Sequence, residues 1–225
     1  MFTVKVTAHK LHLRQGAGSK FDSITLLSQN TALTVQDVDN SGTWLEVKTN
    51  GANPKQGWCS AKYLLPDTTR NAPWLPIAVK EIGIREYDDT NEPPEHPRIV
   101  QYLATVDDLS NKYKGSDETA WCSCFMNWCV EQAELDGTDS AWAKSWANWR
   151  AHVTLAGAKI GDIAVFERTS PTVNGGHVGI YIATDGDQVW VLGGNQSNAV
   201  RYSRYPINGL GAGNTHYKLL SCRSI

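Results

Sequence analysis

The sequence predicts two domains of different class: a small all-β barrel over residues 1–66 and an α+β domain over residues 77–225, with helices packed on an antiparallel sheet. A linker at residues 67–76 joins them. Three observations predict this. Short alternating runs at 3–7, 24–27, 32–38, 44–48 and 57–60 follow one another with no helical stretch between them. Gln15-Gly-Ala-Gly18, Asp39-Asn-Ser-Gly42 and Asn50-Gly-Ala-Asn-Pro54 punctuate these runs as turns. Beyond Pro73 the apolar period becomes helical, and from Ala158 it returns to strands, the order of a segregated α+β domain.

Several short strands in so few residues close most economically as a barrel. Asp67-Thr-Thr-Arg-Asn-Ala-Pro73 is polar, ends in proline and reads as a short linker. Leu75, Ala78, Val79 and Ile82 share one face of a helix read over 77–84. Residues 88–97, rich in Asp, Glu, Asn and Pro, read as a loop, and 99–109 as a second helix. The third helix, 119–135, has Phe125, Trp128, Cys129 and Gln132 at helical spacing. Trp142, Trp146 and Trp149 recur at helical intervals within 140–153 and read as core or interdomain contacts. Strands are expected at 161–166, 177–183, 189–193 and 217–221.

Composition narrows the function. With 41% hydrophobic residues among 225, the chain has enough apolar surface for a packed core. A net charge of −2 argues against a nucleic-acid partner, which calls for a basic patch. No apolar run approaches the roughly 20 residues that span a bilayer, so membrane insertion is not expected. Residues 1–10 alternate as a strand does and carry no secretion signal. Nine Trp against four Phe suit grooves for polar or sugar-containing ligands, although core packing uses the same residues. Five cysteines, at 59, 122, 124, 129 and 222, are an odd set for a disulfide framework and lack zinc-site spacing, so no metal is expected. Cys59, Cys124, Cys129 and Cys222 read as small buried hydrophobes.

Cys122 differs because it falls in the first turn of the third helix. Unpaired N–H groups and about half a positive charge stabilise a thiolate there, with Asp117 or Thr119 as the expected cap. His177 stands among Gly175, Gly176 and Gly179, ahead of Val178, Ile180 and Ile182, which anchor it to a strand. A thiol at a helix start and an imidazole on a strand are the halves of an activated cysteine nucleophile, expected to form a thiolate–imidazolium pair. The ring needs a third group to set its tautomer. Asn195 is the candidate. Gln196 competes for that role or donates to an oxyanion, and the backbone N–H of Cys122 is the simplest oxyanion donor. Asp162 reads as a turn residue before its strand.

Leu11-His-Leu-Arg-Gln-Gly-Ala-Gly18, Trp44-Leu-Glu-Val-Lys48 and Gly57-Trp-Cys-Ser-Ala-Lys-Tyr-Leu64 resemble, in order and spacing, a bacterial SH3 (SH3b) domain. The resemblance implies an SH3-like barrel that binds cell wall or shapes a substrate groove, with Trp44, Trp58 and Tyr63 in its core or at its rim. Trp121-Cys-Ser-Cys-Phe125, Gly161-Asp-Ile-Ala-Val-Phe166, Gly176-His-Val-Gly179, Leu192-Gly-Gly-Asn-Gln196 and Glu81-Ile-Gly-Ile-Arg-Glu86 resemble the NlpC/P60 and CHAP group of papain-like peptidoglycan hydrolases over residues 74–220. That resemblance implies a papain-like fold with Cys122 as nucleophile, His177 as base and Asn195 as orienting group, and with Trp121, Ser123 and Gln196 on the substrate. Cys122 is preferred over Cys124 because it directly follows Trp121. The chain departs from the common CHAP pattern at Gly193, where a Glu often stands two residues before the Asn.

The activity implied is a cysteine hydrolase cutting an amide of the peptidoglycan stem peptide, or the muramoyl–L-alanine link, without metal or organic cofactor. The alternatives are a papain-like deamidase or acyltransferase toxin, and a non-catalytic wall-binding protein. The expected partners are peptidoglycan or its stem peptides, with an immunity or delivery protein beside them, and the expected state is a monomer. The expected site of action is the periplasm or cell wall, reached through phage lysis or a secretion system, or by way of a leader missing from this chain.

Overall fold

A computed structural model of the chain describes residues 1–87, 94–171, 173–211 and 214–225. Residues 88–93 of the expected loop lie outside the described residues. The first domain is a seven-stranded antiparallel sheet made of β1 (Phe2–Val6), β2 (Lys10–Arg14), β3 (Ser23–Ser28), β4 (Ala32–Val38), β5 (Trp44–Thr49), β6 (Gln56–Ser60) and β7 (Leu64–Pro66). They lie in the order β3-β2-β6-β5-β4-β1-β7. Alternation does the sorting: Val4, Val6, Leu13, Leu33, Val35, Leu45 and Val47 all turn inward and are buried. Trp44 and Trp58 are half-buried and Tyr63 is exposed, so the aromatic residues of the SH3-like motif form the rim and the aliphatic ones the core. The pattern reading missed β2 and β7. β2 is short and tightly linked to the turn that follows, and β7 has only three residues.

The linker is docked. The Asp67 amide donates to Thr3 O at 2.9 Å, Thr68 Oγ1 donates to Ile160 O, and Arg70 Nε lies 2.9 Å from Asp162 Oδ1. Asp162 also accepts the Lys159 N–H at 2.9 Å, the turn role expected of it. Trp74, which opens α1 (Trp74–Lys80), donates its indole N–H to Gly161 O at 2.9 Å.

Three further helices follow, α2 (Pro97–Ala104), α3 (Asn111–Lys114) and α4 (Cys122–Glu131). The helical spacing of the tryptophans within 140–153 does not correspond to an α-helix. A 3-10 segment at Ala143–Asn148 leads instead to a short strand, β8 (Ala151–Val153). Trp146 and Trp149 are buried from that segment, while Trp142 is exposed, so the spacing reflected two anchors and a surface residue. The second sheet runs β12 (Arg201–Pro206), β11 (Gln188–Gly193), β10 (Val173–Asp185), β9 (Ile163–Ser170), β14 (His216–Ser224), β13 (Asn208–Leu210), with β8 paired to β14. α4 runs against β10 and β11. Among the described residues no helix is long and apolar enough to cross a membrane.

The domains share one core. Phe2 of β1 meets Trp190 edge-on at 5.5 Å and Tyr202 at 6.4 Å. The Tyr202 N–H donates to Gly42 O at 3.0 Å, Arg201 Nη2 donates to Asn40 O at 2.8 Å, and Arg204 pairs with Asp37. Gly42 has φ 69°, and a Cβ there would stand 2.3 Å from Tyr202 O. Gly42→Ala is therefore expected to destabilise the folded chain by about 1–3 kcal/mol through strain and overpacking. Urea unfolding of the two proteins measures this, and equal midpoints would contradict the docking described.

Candidate active site

α4 begins at Cys122. Its N-cap is Trp121, whose backbone (φ −112°, ψ 11°) turns into the helix without a side-chain cap. The caps expected from sequence are otherwise engaged. Asp117 accepts N–H groups of Tyr87 (3.2 Å) and His96 (2.8 Å), and Thr119 Oγ1 donates to Tyr113 O at 2.9 Å. The first helical bond runs from Phe125 N to Trp121 O at 2.9 Å, so the N–H groups of residues 122–124 stand ahead of the ladder. The Cys122 and Ser123 backbones act on the Cys122 sulfur in the direction that favours thiolate, and so does the Val178 backbone.

Val178 follows His177 on β10, and its backbone acts on the Cys122 thiol. Two further residues act on both. The positive charge of Arg168 reaches the Cys122 thiol and the His177 ring. The Tyr205 ring lies 4.8 Å from the His177 ring, and its phenol feels Cys122.

His177 Nε2 is 2.9 Å from Gln196 Oε1. The Gln196 amide nitrogen donates to Val191 O at 3.3 Å and to Arg201 O. With its nitrogen held by two carbonyls, the amide presents oxygen to the ring. Nε2 must then carry the proton, which leaves Nδ1 free to accept one. Gln196, not Asn195, is thus the residue on the ring. Asn195 takes a left-handed turn (φ 52°) and lines the cleft beside His177, and that turn sends the longer Gln196 side chain back inward. Gly194 permits the turn. A Cβ there would stand 2.5 Å from the Trp121 ring and 2.7 Å from Phe125 Cβ.

The two other substrate contacts expected from sequence are also corrected. Trp121 is fully buried and donates its indole N–H to Glu86 Oε1 at 2.6 Å. Ser123 is fully buried, donating to Ser140 O at 2.6 Å and accepting from Trp146 Nε1 at 2.9 Å. Gln196 is buried as well. All three are buried and held by hydrogen bonds within the protein. Cys124 is fully buried at the third helical position, its thiol pushed up to about 12 by burial. The five cysteines are all free, and among the described residues no group of three or more metal-ligating side chains assembles.

Burial dominates the site's electrostatics. It pushes the Cys122 thiol up, against the backbone groups and Arg168. It pushes His177 down to about 4, against the Gln196 bond and with the help of Arg168. The resting pair is therefore neutral thiol and neutral imidazole, in place of the ion pair expected from sequence, because desolvating two charges outweighs what the helix terminus returns. A cleft of about 510 Å³ opens beside the ring. Arg168, His177, Asn195, Tyr205 and Tyr217 line it from one domain, and Val38, Asp39 and Asn40 from the other. Cys122, 7% exposed, does not line it. The pattern reading missed Arg168, Tyr205 and Tyr217. Arg168 follows Phe166 by two positions and so shares its face, and the alternation of Arg201-Tyr-Ser-Arg-Tyr205 marks the strand that was overlooked.

Two protein-family models match parts of the chain. Residues 9–64 match the bacterial SH3 domain family, and residues 113–195 match the CHAP domain family. The chain therefore joins a bacterial SH3 domain to a CHAP domain. Similar solved structures include NlpC2 from Trichomonas vaginalis (16% identity, TM-score 0.40, covering 99% of this chain and 72% of that one). NlpC1 from the same organism has 15% identity and TM-score 0.33, covering 99% and 68%. An NlpC/P60 family protein from Bacillus cereus ATCC 10987 has 13% identity and TM-score 0.38, covering 99% and 63%. Among curated proteins none matches.

The Gln196 clamp makes a spectroscopic prediction. Nitrogen-15 NMR of labelled protein is expected to show His177 as the neutral Nε2–H tautomer at pH 7, protonating only near pH 4. Below the ring's ordinary value of 6.5 the unfolded chain takes up a proton that the folded ring refuses, so the folded state loses stability as pH falls from about 6.5 towards 4. An Nδ1–H signal, or titration near the ordinary value, would contradict the geometry.

Proposed function

We propose that this protein is a cysteine hydrolase of the peptide part of bacterial peptidoglycan, an endopeptidase or an N-acetylmuramoyl-L-alanine amidase, working through a papain-like Cys122–His177–Gln196 set. The observation that carries this is the His177–Gln196 bond, which leaves Nδ1 as a base on the strand whose next residue touches the Cys122 sulfur. The CHAP and bacterial SH3 matches support peptidoglycan as the substrate class.

Nδ1 takes the Cys122 proton as the sulfur attacks the substrate carbonyl. The oxyanion forms at the α4 N-terminus, where N–H groups of the first turn are free of the helical ladder. The imidazolium returns its proton to the leaving nitrogen, and an acyl-enzyme remains. A water, deprotonated by Nδ1, then releases the acid and regenerates the thiol. Because the resting pair is neutral, proton transfer is coupled to attack and no standing thiolate is required. The chemistry calls for no metal or organic cofactor.

The bacterial SH3 domain contributes twice to this reading. Val38, Asp39 and Asn40 wall the cleft. A separate groove of about 490 Å³ on the barrel, lined by Lys10, Arg14, Trp44, Lys62 and Tyr63, suits attachment to wall polymer, which raises the local substrate concentration. A cell-wall or periplasmic site of action, a monomeric state and an accompanying immunity or delivery protein fit this activity.

Purified protein is expected to release soluble muropeptides from sacculi, and Cys122→Ala to release none while still sedimenting with them. Co-sedimentation without release by the wild type would favour a binding protein, and activity on a protein glutamine alone would favour a deamidase. Gln196→Ala, which frees the ring to rotate and change tautomer, is expected to lower kcat/KM by about 10²–10⁴-fold, the size of a general-base contribution, with little change in KM. Asn195→Ala is expected to act far more weakly. Steady-state kinetics on the released-peptide assay ranks the two.

A further inference from the structure

Arg168 lies on β9, with Gly175 of β10 opposite it on one side and Tyr217 of β14 on the other. Phe166, two residues earlier, is opposite His177, so Arg168 and His177 stand on the same face of the sheet. Gly175 has no side chain to cover it, and the guanidinium lines the cleft.

Three arginines and one carboxylate line that cleft among the described residues: Arg168, Arg201, Arg204 and Asp39. Arg201 is spent on the carbonyls of Asn40 and Tyr202, and Arg204 on Asp37 and the face of Trp190 at 4.1 Å. Asp39 accepts N–H groups of Ser41, Thr43 and Trp44, which closes its own turn. Arg168 is left over. Its Nε is buried and makes no hydrogen bond among the described residues.

Arg168 is half-buried, and a guanidinium does not shed its proton, so leaving its buried Nε without a partner is costly. Proteins otherwise meet that cost with a paired carboxylate. We propose that Arg168 is the anchor of an anion subsite in the cleft, and that the substrate brings a free carboxylate to it close to the bond that is cut. This deepens the hydrolase reading and rests on it. For a stem peptide, the carboxylate is that of an acidic residue in its free-acid form, and amidation of that residue removes it.

The subsite also bears on the chemistry. An unpaired Arg168 charge opposes protonation of His177. A bound carboxylate cancels that opposition just when Nδ1 must take the Cys122 proton. The acid form of a substrate then gains in kcat as well as in binding, and the carboxamide gains in neither.

Two measurements test this, the first independent of the hydrolase reading. Alkylation of Cys122 by iodoacetate and by iodoacetamide, followed by mass spectrometry of the modified peptide, gives a rate ratio to set against free cysteine. In the wild type the ratio is expected to favour the anionic reagent by about tenfold, as for one charge-assisted contact. Arg168→Gln is expected to abolish that preference and Arg168→Lys to retain part of it. A wild-type ratio like that of free cysteine, or one unchanged in Arg168→Gln, overturns the subsite, provided that the variant unfolds cooperatively as the wild type does. If it does not, Arg168→Lys decides, and a ratio unchanged from wild type in every respect counts against a bidentate anion site.

The second measurement compares stem peptides amidated at one acidic position or another. Loss of kcat on amidation at a single position, present in the wild type and absent in Arg168→Gln, identifies which carboxylate is held. Equal turnover of all forms by the wild type overturns the proposal. Iodoacetate selectivity without any muropeptide release would leave the anion subsite standing and the hydrolase reading refuted. Release without selectivity would do the reverse.

Discussion

The site depends on how one side-chain amide is held. Gln196 has its nitrogen on the carbonyls of Val191 and Arg201 and its oxygen on His177, so a single buried group ties β10, β11 and β12 together at the ring. Because the amide nitrogen faces two carbonyls, a flip would set oxygen against oxygen there, so the amide keeps its oxygen on the ring. The imidazole tautomer follows from that anchoring. The helix side of the site is held to the same point by Gly194, whose missing Cβ lets the end of β11 lie against Trp121 and Phe125.

Behind this front layer the residues are supports. Trp121 is pinned by Glu86, whose carboxyl burial pushes up, while Ser123 bridges Ser140 and Trp146. Farther back, Glu81 takes Arg98 bidentately at 2.7 Å and Tyr102 at 2.5 Å, and Arg98 covers Trp128 at 4.5 Å. Such a paired and fully hydrogen-bonded network fixes α2 against α1 and α4. The start of α4 is therefore set by packing and buried polar contacts, which explains how it dispenses with a side-chain cap.

The same burial sets the chemistry. A solvated thiol at a helix terminus would favour thiolate, but here burial holds the Cys122 thiol up and the His177 ring down, which favours the neutral form of each. The domain interface shares in this. Phe2, Gly42 and the backbone at Asn40 bring the first barrel against β11 and β12, and the connection after β4 forms one wall of the cleft. The barrel is part of the site's architecture, docked through a common apolar core.

Much of this was legible in sequence. Period-two alternation gave the barrel strands whose inward residues are Val4, Leu33, Val35, Leu45 and Val47. The apolar run after Trp121 gave α4, and the glycines around His177 gave a strand open enough to carry a ring. These are local signals, set by backbone sterics and by which side chains water excludes. The choice between Asn195 and Gln196 was not local, because it turned on one left-handed residue and on which carbonyls waited behind it. The unpaired state of Arg168 was equally hidden, since a charge is unpartnered only relative to neighbours that the fold brings from β10, β12 and β14. Sequence alone determined the residue types and the elements that carry them. The tertiary structure alone decided which polar groups were satisfied and which charges line the cleft, because hydrogen bonding and desolvation depend on contacts between segments far apart in the chain.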